Sequence, residues 1–496
     1  MFNPINNFIS YSKSLHSNSA IISLKKEVSF IELSKLVKNL SNNFRKFGIK
    51  PGQIIVVCFQ DKTIEWIVTL ALIHEGVITV SNHGYAELPN ELKPDYILVD
   101  RPASHLFPFQ TILLDETWFK IDENAFDIEP QDYVSKKNLF RLALTSGTTG
   151  YPKVVPLTIE QVENRADLLL SEWKTDGSQH EIINLRLSTA PAFYRLFGTF
   201  FLKCLPYYDS SSDIETLKLI ANFKVTNIFA SPAQLGSLID EIKKTGSDLL
   251  SPINIRYAGG NLSLSLLNNI KKYLGLNITN LYGASEVGPI CINSVTDLKL
   301  NSHTVIGSPL KETKIRIVDE NNKTLNLGES GLVSVKTPYM IEKYYKNEKD
   351  TNTSFVDGWF YPGDTGYLDN NGNLILTGRS NEVVNIDGVK TDPNKVDQIM
   401  QNYKDIKDAA SFSFVNDEGE TIFSTLIVTS DKFTLNEFKN YLLNHMDKLR
   451  IPKFFLQVNK IDRNEMGKIS RDILGKDYKS LLNDQKYNQN LIDARI

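Results

Sequence analysis

The chain has 496 residues, of which 41% are hydrophobic and 23% charged, and its formal net charge is -3. This composition is typical of a globular protein, and the length predicts either several domains or one large unit with a smaller one beside it. The small net charge and the scattered lysines and arginines argue against a nucleic-acid partner and against a strongly basic membrane face.

The three cysteines, Cys58, Cys204 and Cys291, are far apart and odd in number. This disfavours a disulfide framework or a zinc site and favours a reducing compartment. The first twenty residues lack the basic and apolar regions of a signal peptide. The most apolar stretch, residues 64–80, contains three ionisable residues and is predicted to be a buried helix, not a membrane span. A cytoplasmic location is therefore expected.

Short apolar runs alternate with helical patterns in the first half of the chain. A helix is predicted at 65–75, and strands are predicted at 54–59, 76–80, 96–100, 227–231 and 253–258. Such β–α–β alternation predicts an α/β fold with a mostly parallel sheet covered by helices.

From about residue 306 the pattern changes to strand-like runs separated by close turn signals. The runs lie at 314–318, 331–335 and 374–376, with Asn- and Gly-rich turns between them. These features predict antiparallel hairpins or a small barrel. A final α+β segment is predicted from near residue 380 to the end.

A segment rich in hydroxyl groups and glycine follows the predicted strand 142–144. It reads Thr145, Ser146, Gly147, Thr148, Thr149, Gly150, Tyr151, Pro152, Lys153. Its glycines allow a close backbone approach, its hydroxyls and N–H groups can surround phosphate oxygens, and Lys153 adds a point charge. The spacing is not that of a Walker A loop, which disfavours a kinase-like or GTPase-like fold. The alternative is a polar turn between a strand and a helix.

The segment T-S-G-T-T-G-x-P-K resembles the signature loop of the adenylate-forming superfamily, which includes acyl-CoA synthetases, adenylation domains and firefly luciferase. The other motifs of that family follow in order, which makes the resemblance specific and extends it over essentially the whole chain. The matching segments are R-Y-A-G-G-N (256–261), L-Y-G-A-S-E (281–286), G-S-P (307–309), G-E-S-G (328–331), Y-P-G-D (361–364), G-R (378–379) and N-E-M-G-K-I-S-R (464–471).

The resemblance implies an architecture and a reaction. The architecture is an N-terminal adenylation core at 1–379, with α/β subdomains and a small β-rich subdomain, and a mobile C-terminal α+β lid at 380–496. In the reaction a carboxylate attacks the α-phosphate of ATP, pyrophosphate leaves, and the acyl group passes to a thiol. Because both reactants are anions, the site must supply positive charge and aligned donors.

The resemblance also assigns roles to individual residues. Lys468 would bridge carboxylate and phosphate, Ser285 would donate to the α-phosphate, and Glu286 would hold Mg²⁺. Tyr282 would lie on the adenine, Asp364 would bind both ribose hydroxyls, and Arg379 would reach the ribose. The implied nucleotide site also contains residues 145–150, Lys153, Gly259, Gly260, Asn261 and Gly283. Without the resemblance, Glu286 and Asp364 would be interpreted as turn residues and Lys468 as a surface lysine.

Several positions depart from the family pattern. Val154 follows Lys153 where glycine is usual, and Asn381 occupies the hinge position, where aspartate or lysine is usual. Phe193 and Tyr194 are predicted to line the acid pocket, with Tyr194 in place of the usual histidine. Amino-acid activators commonly place an aspartate there, so an acid without an α-ammonium group is expected. Arg195 is interpreted either as a ligand for a second carboxylate or as a solvated arginine beside an aromatic cluster.

Two rival functions stay open besides an acyl-CoA ligase. The thiol could be the phosphopantetheine arm of a separate carrier protein instead of coenzyme A. The chain could also be a degenerate nucleotide-binding scaffold, although the joint presence of Glu286, Asp364 and Lys468 disfavours this. The sequence does not identify the acid, because a fold does not set specificity.

Overall fold

The computed structural model describes residues 3–14, 18–83, 87–102, 107–121, 128–145, 152–203, 205–247, 252–295, 304–380, 382, 384–386, 389–416, 420–463, 468–482 and 491–493. The α-helices in this part of the chain are α1 (Ile5–Ser14), α2 (Phe30–Phe47), α3 (Lys62–His74), α4 (Ile159–Glu172), α5 (Ala190–Phe197), α6 (Asp213–Phe223), α7 (Pro232–Thr245), α8 (Leu264–Tyr273), α9 (Glu348–Ser354), α10 (Pro393–Gln401), α11 (Leu435–His445) and α12 (Arg471–Leu482).

The strands up to residue 294 are β1 (Ser19–Ile22), β2 (Glu27–Ser29), β3 (Ile54–Cys58), β4 (Ile78–Ser81), β5 (Tyr96–Val99), β6 (Thr111–Leu113), β7 (Leu139–Leu144), β8 (Val154–Thr158), β9 (Glu181–Ile183), β10 (Tyr207–Tyr208), β11 (Asn227–Ala230), β12 (Asn254–Ala258), β13 (Ile278–Ala284) and β14 (Gly288–Ser294). The later strands are β15 (Thr304–Gly307), β16 (Lys314–Val318), β17 (Gly331–Lys336), β18 (Phe355–Val356), β19 (Trp359–Phe360), β20 (Asp364–Leu368), β21 (Leu374–Arg379), β22 (Val384–Ile386), β23 (Val389–Thr391), β24 (Ile406–Val415), β25 (Thr421–Thr429), β26 (Phe454–Gln457) and β27 (Leu491–Asp493).

Two mostly parallel sheets form the larger part of the fold. The first has the order β6-β5-β3-β4-β7-β8, and only its last strand, β8, is antiparallel to its neighbour. The second has the order β14-β13-β12-β11-β9-β10-β1-β2 and ends in antiparallel pairs on both sides. Helices connect the parallel strands, so the predicted mixed α/β class is confirmed.

The largest apolar cluster lies where helices α1–α5 pack against strands of both parallel sheets. Trp66 of α3 is fully buried there, and its ring meets those of Phe193 and Phe200 edge-on. Helix α3 begins three residues before the predicted start because the Asp61 side chain accepts a hydrogen bond from the backbone N–H of Ile64 at 2.9 Å. No helix among the described residues is long and apolar enough to cross a membrane.

The third sheet is antiparallel and has the order β15-β21-β20-β17-β19-β18, with β16 paired to β17. The predicted hairpin of β16 and β17 is present, and a second hairpin joins β20 to β21. Its turn is fixed by Asp369, whose carboxylate accepts hydrogen bonds from the backbone N–H groups of Asn371 and Asn373. The two ends of this sheet do not pair within the described residues, so it is an open sheet and the alternative of a barrel is wrong.

The segment after residue 380 has a sheet of its own, with the order β24-β25-β26-β27, and a short hairpin of β22 and β23. Two apolar clusters around Phe438 and Phe412 draw only on residues from Val384 onward. This segment also touches the rest of the chain, because the backbone N–H of Leu264 donates to Oδ1 of Asn402 at 3.2 Å. The predicted boundary between residues 379 and 380 stays a prediction.

Candidate active site

A cleft of about 2120 Å³ lies between the two parallel sheets, the antiparallel sheet and the C-terminal segment. It brings together residues that the sequence analysis took from distant motifs. Those on its wall are Thr145, Lys153, Tyr194, Gly259, Gly260, Asn261, Tyr282, Gly283, Ser285, Glu286, Asp364, Arg379 and Lys468. Chain segments more than 300 residues apart in sequence therefore face one solvent-filled space.

The two ends of the predicted phosphate loop are held together by backbone contacts. The N–H of Thr145 donates to the carbonyl of Lys153 at 2.9 Å, and the N–H of Lys153 donates to Oγ1 of Thr145 at 3.3 Å. The loop connects β7 to its antiparallel neighbour β8, so it is a strand–loop–strand connection and not a strand-to-helix turn. Ser146, Gly147, Thr148, Thr149 and Gly150 lie outside the described residues.

A chain of contacts links the loop lysine to the predicted metal ligand. The ammonium of Lys153 lies 4.0 Å from the carboxylate of Asp350 and 4.8 Å from the ring centre of Tyr344. The Tyr344 hydroxyl donates to Oε1 of Glu286 at 2.7 Å, and burial together with that carboxylate raises the pKa of Tyr344. Glu286 is itself buried. This arrangement fixes one carboxylate oxygen of Glu286 and leaves the other free of that contact.

The predicted ribose ligand, Asp364, is buried and already has two partners. It accepts a hydrogen bond from the Tyr282 hydroxyl at 2.5 Å, and its other oxygen lies 3.0 Å from Nε of Arg379. Burial and the neighbouring carboxylate raise the pKa of Tyr282 well above its ordinary value, and the pKa of Arg379 is raised mainly by Asp364. Strands β20 and β21 place Asp364 opposite Arg379 in register. The two predicted ribose contacts therefore form one ion pair.

Lys468 lines the same cleft from the C-terminal segment. Its side chain contacts solvent within the cleft, yet the cleft walls surround it closely, and this desolvation lowers its pKa. The positive charge of Arg379 lowers the pKa further, whereas Asp364 and Glu286 act in the opposite direction. The charges of Lys468, Arg379, Asp364 and Glu286 thus act on one another across the cleft.

The start of α12 holds the short segment that carries Lys468. Arg471 donates to the carbonyl of Ser411, to Oδ1 of Asn394 at 2.6 Å and to Oδ2 of Asp397 at 2.8 Å, and it pairs with Glu382 at 3.3 Å. Burial raises the pKa of Asp397, against the attraction of Arg471. Arg471 therefore ties the segment of Lys468 to α10 and β24. The predicted hinge residue, Asn381, lies outside the described residues.

The predicted glycines are placed by two different constraints. Gly259 has φ +96°, a conformation that side chains rarely adopt, while Gly260 and Asn261 are exposed on the cleft wall. Gly283 is needed for space, because a Cβ atom there would lie 2.5 Å from the carbonyl oxygen of Gly288 on the paired strand β14.

The two predicted pocket residues have different surroundings. Tyr194 lines the cleft, but Phe193 is fully buried in the apolar core, where the guanidinium of Arg141 lies 3.8 Å from its ring centre. Both interpretations of Arg195 are wrong. It is buried away from the cleft, where it pairs with Glu181 at 2.5 Å and donates to Oγ1 of Thr175 at 2.7 Å. Helix α5 explains the difference, since neighbouring residues on a helix face different sides.

Comparison with known proteins adds independent findings. A model of a protein family described as AMP-binding enzyme matches residues 13–345, which is more than half of the chain. The chain belongs to the AMP-binding enzyme family. This confirms the predicted resemblance to the adenylate-forming superfamily.

Individual members of this family resemble the chain at low identity. It is 24% identical to a 2-succinylbenzoate–CoA ligase of Listeria monocytogenes, over 92% of this chain and 96% of the relative. It superposes with a TM-score of 0.81 and 23% identity on the O-succinylbenzoate coenzyme A synthetase MenE of Bacillus subtilis in complex with AMP, over 95% of this chain and 98% of that one. The same synthetase is also known with ATP and magnesium (TM-score 0.79, 23% identity, 94% and 98% covered). The anthranilate–CoA ligase AuaEII in complex with anthranoyl-AMP gives a TM-score of 0.82 at 17% identity, over 97% and 98% of the two chains. These likenesses show a shared fold.

The donors of the AMP-binding enzyme fit the magnesium ion that the resemblance implies. The described residues contain no cluster of three or more His, Cys, Asp or Glu side chains that could hold a metal ion alone. A single carboxylate is nevertheless enough where the phosphates of a bound nucleotide and water supply the other oxygen ligands of Mg²⁺. Glu286, with one oxygen held by Tyr344, meets this requirement.

Three residues at this site were not predicted from the sequence. Tyr344 and Asp350 lie in no motif, and only the three-dimensional contacts with Glu286 and Lys153 reveal them. Arg165 of α4 is fully buried behind Ser285 and Glu286. A signal for Arg165 existed, because it lies three residues after Val162 on the apolar face of the helix, where a charged residue is unusual.

Proposed function

We propose that this AMP-binding enzyme uses ATP to convert a carboxylic acid to an acyl-adenylate and then transfers the acyl group to a thiol. The observation that carries the proposal is the meeting of Lys468, Asp364, Arg379 and Glu286 across one cleft. The predicted class, an AMP-forming acid–thiol ligase, agrees with the names of the relatives. A degenerate scaffold is disfavoured because no charge needed for adenylation is missing.

In the first step a carboxylate oxygen attacks the α-phosphate and pyrophosphate leaves. Lys468 would lie between the two anions and offset their repulsion, and their approach would raise its pKa again. Ser285 would donate to the α-phosphate, and Lys153 would balance the charge of the leaving pyrophosphate. These roles need fixed positions more than chemical change, so most of the catalytic effect would come from preorganised charge.

The nucleoside would lie along the opposite wall. Asp364 and Arg379 would loosen their ion pair and bind the ribose hydroxyls. Tyr282 would cover the adenine beside Gly259, Gly260 and Asn261. Glu286 would hold Mg²⁺, whose chemical contribution is to neutralise charge on the phosphates.

We further propose that the C-terminal lid, residues 380–496, turns about Asn381 between the two half-reactions. The present arrangement, with Lys468 in the cleft, suits adenylation. A lid that rotates would move Lys468 out of the cleft and let a single site serve both steps.

The acceptor is proposed to be coenzyme A. The names of the relatives, 2-succinylbenzoate–CoA ligase and anthranilate–CoA ligase, support this choice over the phosphopantetheine arm of a carrier protein. The location is proposed to be the cytoplasm, and the free, buried thiols of Cys58 and Cys291 suit a reducing compartment.

The acid is proposed to lack an α-ammonium group. In the predicted pocket pair, Phe193 is buried in the core and Tyr194 offers only a phenol. Burying an ammonium group without a counter-charge costs several kcal/mol, which corresponds to discrimination on the order of 10²-fold or more.

A pyrophosphate-exchange screen tests the proposal directly. The purified chain is incubated with ATP, Mg²⁺, labelled pyrophosphate and single acids, which comprise fatty acids, aryl acids and the twenty amino acids. We expect exchange with one or more of the simple acids, and then formation of an acyl thioester when coenzyme A is added. Exchange with an amino acid alone would contradict the proposed substrate class, and the absence of exchange with any acid would contradict the proposed function. Thioester formation with a pantetheinylated carrier protein but not with coenzyme A would contradict coenzyme A as the acceptor and would identify a carrier protein instead.

A further inference from the structure

Arg165 uses all its hydrogen-bond donors on uncharged oxygens. Its Nε and Nη2 donate to the carbonyl of Tyr339 at 3.2 and 2.8 Å, and Nη2 also donates to the carbonyl of Glu286 at 3.0 Å. Its Nη1 donates to the carbonyl of Ser285 at 2.8 Å and to the hydroxyl of Tyr194 at 2.5 Å. A guanidinium group has five N–H donors, so each one is accounted for.

Within the described part of the chain, the charge of Arg165 has no ion-pair partner. It is 0% exposed, and no carboxylate of the described residues lies within 4.0 Å of it. The other buried arginines have a carboxylate nearby, since Arg195 and Arg256 both pair with Glu181, and the charge of Glu65 opposes the lowering of the pKa of Arg141 by burial. Because an unpaired buried cation is unfavourable, Arg165 is a residue whose charge a bound anion would complement.

Tyr194 links the buried Arg165 to the cleft. Its hydroxyl oxygen accepts from Arg165, so its own hydrogen must point elsewhere, and no acceptor for that hydrogen is found in the described part of the chain. Tyr194 is 2% exposed and lines the cleft. A hydroxyl that accepts from a cation also becomes a stronger donor. Tyr194 thus presents one polarised O–H group to a ligand.

This donor lies close to the predicted site of reaction. The Tyr194 hydroxyl and the Ser285 carbonyl share Nη1 of Arg165, so the two oxygens can be separated by no more than the sum of the two contacts, 2.5 and 2.8 Å. Space for Arg165 is provided by Gly288, which has φ +78° and where a Cβ atom would lie 2.9 Å from Cδ of Arg165.

We propose that Arg165 and Tyr194 are the specificity-determining pair of this enzyme. Tyr194 donates its O–H to an oxygen of the bound acid, and the buried charge of Arg165 behind it attracts that oxygen and repels an α-ammonium group. Arg165 is a positioning residue, since it acts through Tyr194 and the Ser285–Glu286 backbone. The inference rests on the proposed function and deepens it, because it selects acids that present oxygen without a neighbouring cation.

The first test separates acid binding from ATP binding. Adenylation kinetics are measured for the most active acid of the exchange screen with the wild type, Tyr194→Phe and the double variant Tyr194→Phe/Arg165→Lys. We expect Tyr194→Phe to raise the KM for the acid by about 10-fold and to leave the KM for ATP within about twofold, as the loss of one charge-assisted hydrogen bond requires. A wild-type KM for the acid in Tyr194→Phe would overturn the proposal, even though exchange itself proceeds and the proposed function stands.

The second test examines the charge with matched acids. The pairs are octanoate with 2-aminooctanoate and 3-phenylpropanoate with phenylalanine, which differ only in the α-ammonium group, and each is assayed as substrate and as competitor of exchange. The preference is the ratio of kcat/KM for the simple acid to kcat/KM for its α-amino counterpart. We expect Arg165→Met to lower this ratio by about 10-fold or more, and Arg165→Lys to retain most of it. An unchanged preference in Arg165→Met would overturn the inference. If Arg165→Met fails to fold, which its thermal midpoint reveals, Arg165→Gln, which keeps hydrogen-bond donors without the charge, is compared with Arg165→Lys, and equal preference in these two variants contradicts a role for the charge.

Discussion

The catalytic role of Lys468 is a prediction from a sequence motif that mutation can test. The spacing G-K-x-x-R makes it a candidate only through a family resemblance, and in the structure it lies within electrostatic reach of Asp364 and Glu286. We expect Lys468→Ala to lower the rate of adenylate formation on the order of 10²–10³-fold, because one charge-stabilising contact is lost in the transition state. Pyrophosphate exchange measures this rate.

A suitable control for this substitution is Lys476→Ala, which removes an exposed lysine of the same C-terminal segment outside the cleft. It should keep the wild-type exchange rate. Wild-type exchange in Lys468→Ala would sink the assignment of Lys468.

Asp364 is a residue for which the structure changes the expectation. A ribose ligand that acts only when ATP is bound would leave the stability of the free protein unaltered. Asp364 is instead buried and holds Tyr282 and Arg379. We therefore expect Asp364→Asn to raise the KM for ATP and also to lower the free energy of unfolding by about 1–3 kcal/mol, the cost of weakening a buried charged hydrogen bond.

Denaturant unfolding and ATP kinetics measure the two effects on Asp364 separately. Asp357→Asn, on an exposed turn of the same sheet, should change neither. If Asp364→Asn has wild-type stability and a raised KM for ATP, then Asp364 serves only to bind the ribose.

At the residue scale, the sequence predicted the groups that motifs contain and missed those that only the fold brings near. Asp364 and Glu286 stand in motifs and do line the cleft. Tyr344 contacts Glu286 from 58 residues further along the chain, in a segment without any signature. Arg195 was misjudged because its sequence neighbours are aromatic, whereas its ion-pair partner Glu181 lies on another element.

At the element scale, the hairpin of β13 and β14 determines where the motif L-Y-G-A-S-E lies. Its strands leave no room for a side chain at Gly283, where an added Cβ would meet the carbonyl of Gly288 at 2.5 Å. We expect Gly283→Ala to lower the thermal midpoint and the exchange rate together, because the strands must separate and thereby move Ser285 and Glu286. A clash with backbone is destabilising by typically 1–3 kcal/mol.

Gly260→Ala is the matched control for stability. A Cβ at Gly260 would meet its nearest neighbour, Pro232, at an ordinary distance of 3.7 Å, and its φ lies outside the left-handed region. Its thermal midpoint should stay within a degree or two of the wild type. Equal midpoints for the two alanine variants would argue against close strand packing at Gly283.

The bounds of helices and strands were easier to predict from the sequence than the pairing of strands into sheets. The strands near 54, 96, 227, 254 and 314 fall within one or two residues of the predicted bounds, since apolar runs ended by polar turns locate buried strands well. Helix α3 starts earlier than predicted because a cap is a local hydrogen bond that periodicity does not register. Which strands share a sheet depends on long-range pairing, and β1 beside β10 is an example that local patterns do not contain.

At the scale of the whole molecule, the C-terminal segment forms part of the wall of the cleft. The contact between Leu264 and Asn402 joins this segment to the rest of the chain. We expect a Leu264→Cys/Asn402→Cys variant joined by a short bis-maleimide to keep adenylation and to lose transfer to coenzyme A, if the lid must turn for the second step. Exchange and thioester formation are assayed on the same cross-linked sample.

Leu264→Cys alone and Asn402→Cys alone, and the wild type with its three native cysteines, are treated with the same reagent and serve as controls for modification alone. They should keep both half-reactions. Undiminished thioester formation in the cross-linked protein would mean that the lid has no need to turn, and the proposed two-step use of the site would have to be abandoned.

The last strand of the C-terminal sheet has a further consequence for the solution behaviour of the protein. β27 pairs with β26 and occupies what would otherwise be the open side of that sheet. A chain shortened to residue 482 would leave the backbone donors and acceptors of β26 without this cover, and such an edge recruits strands from other molecules. We therefore expect removal of this short strand to promote self-association, which should appear as aggregates in light scattering before any loss of catalysis is seen.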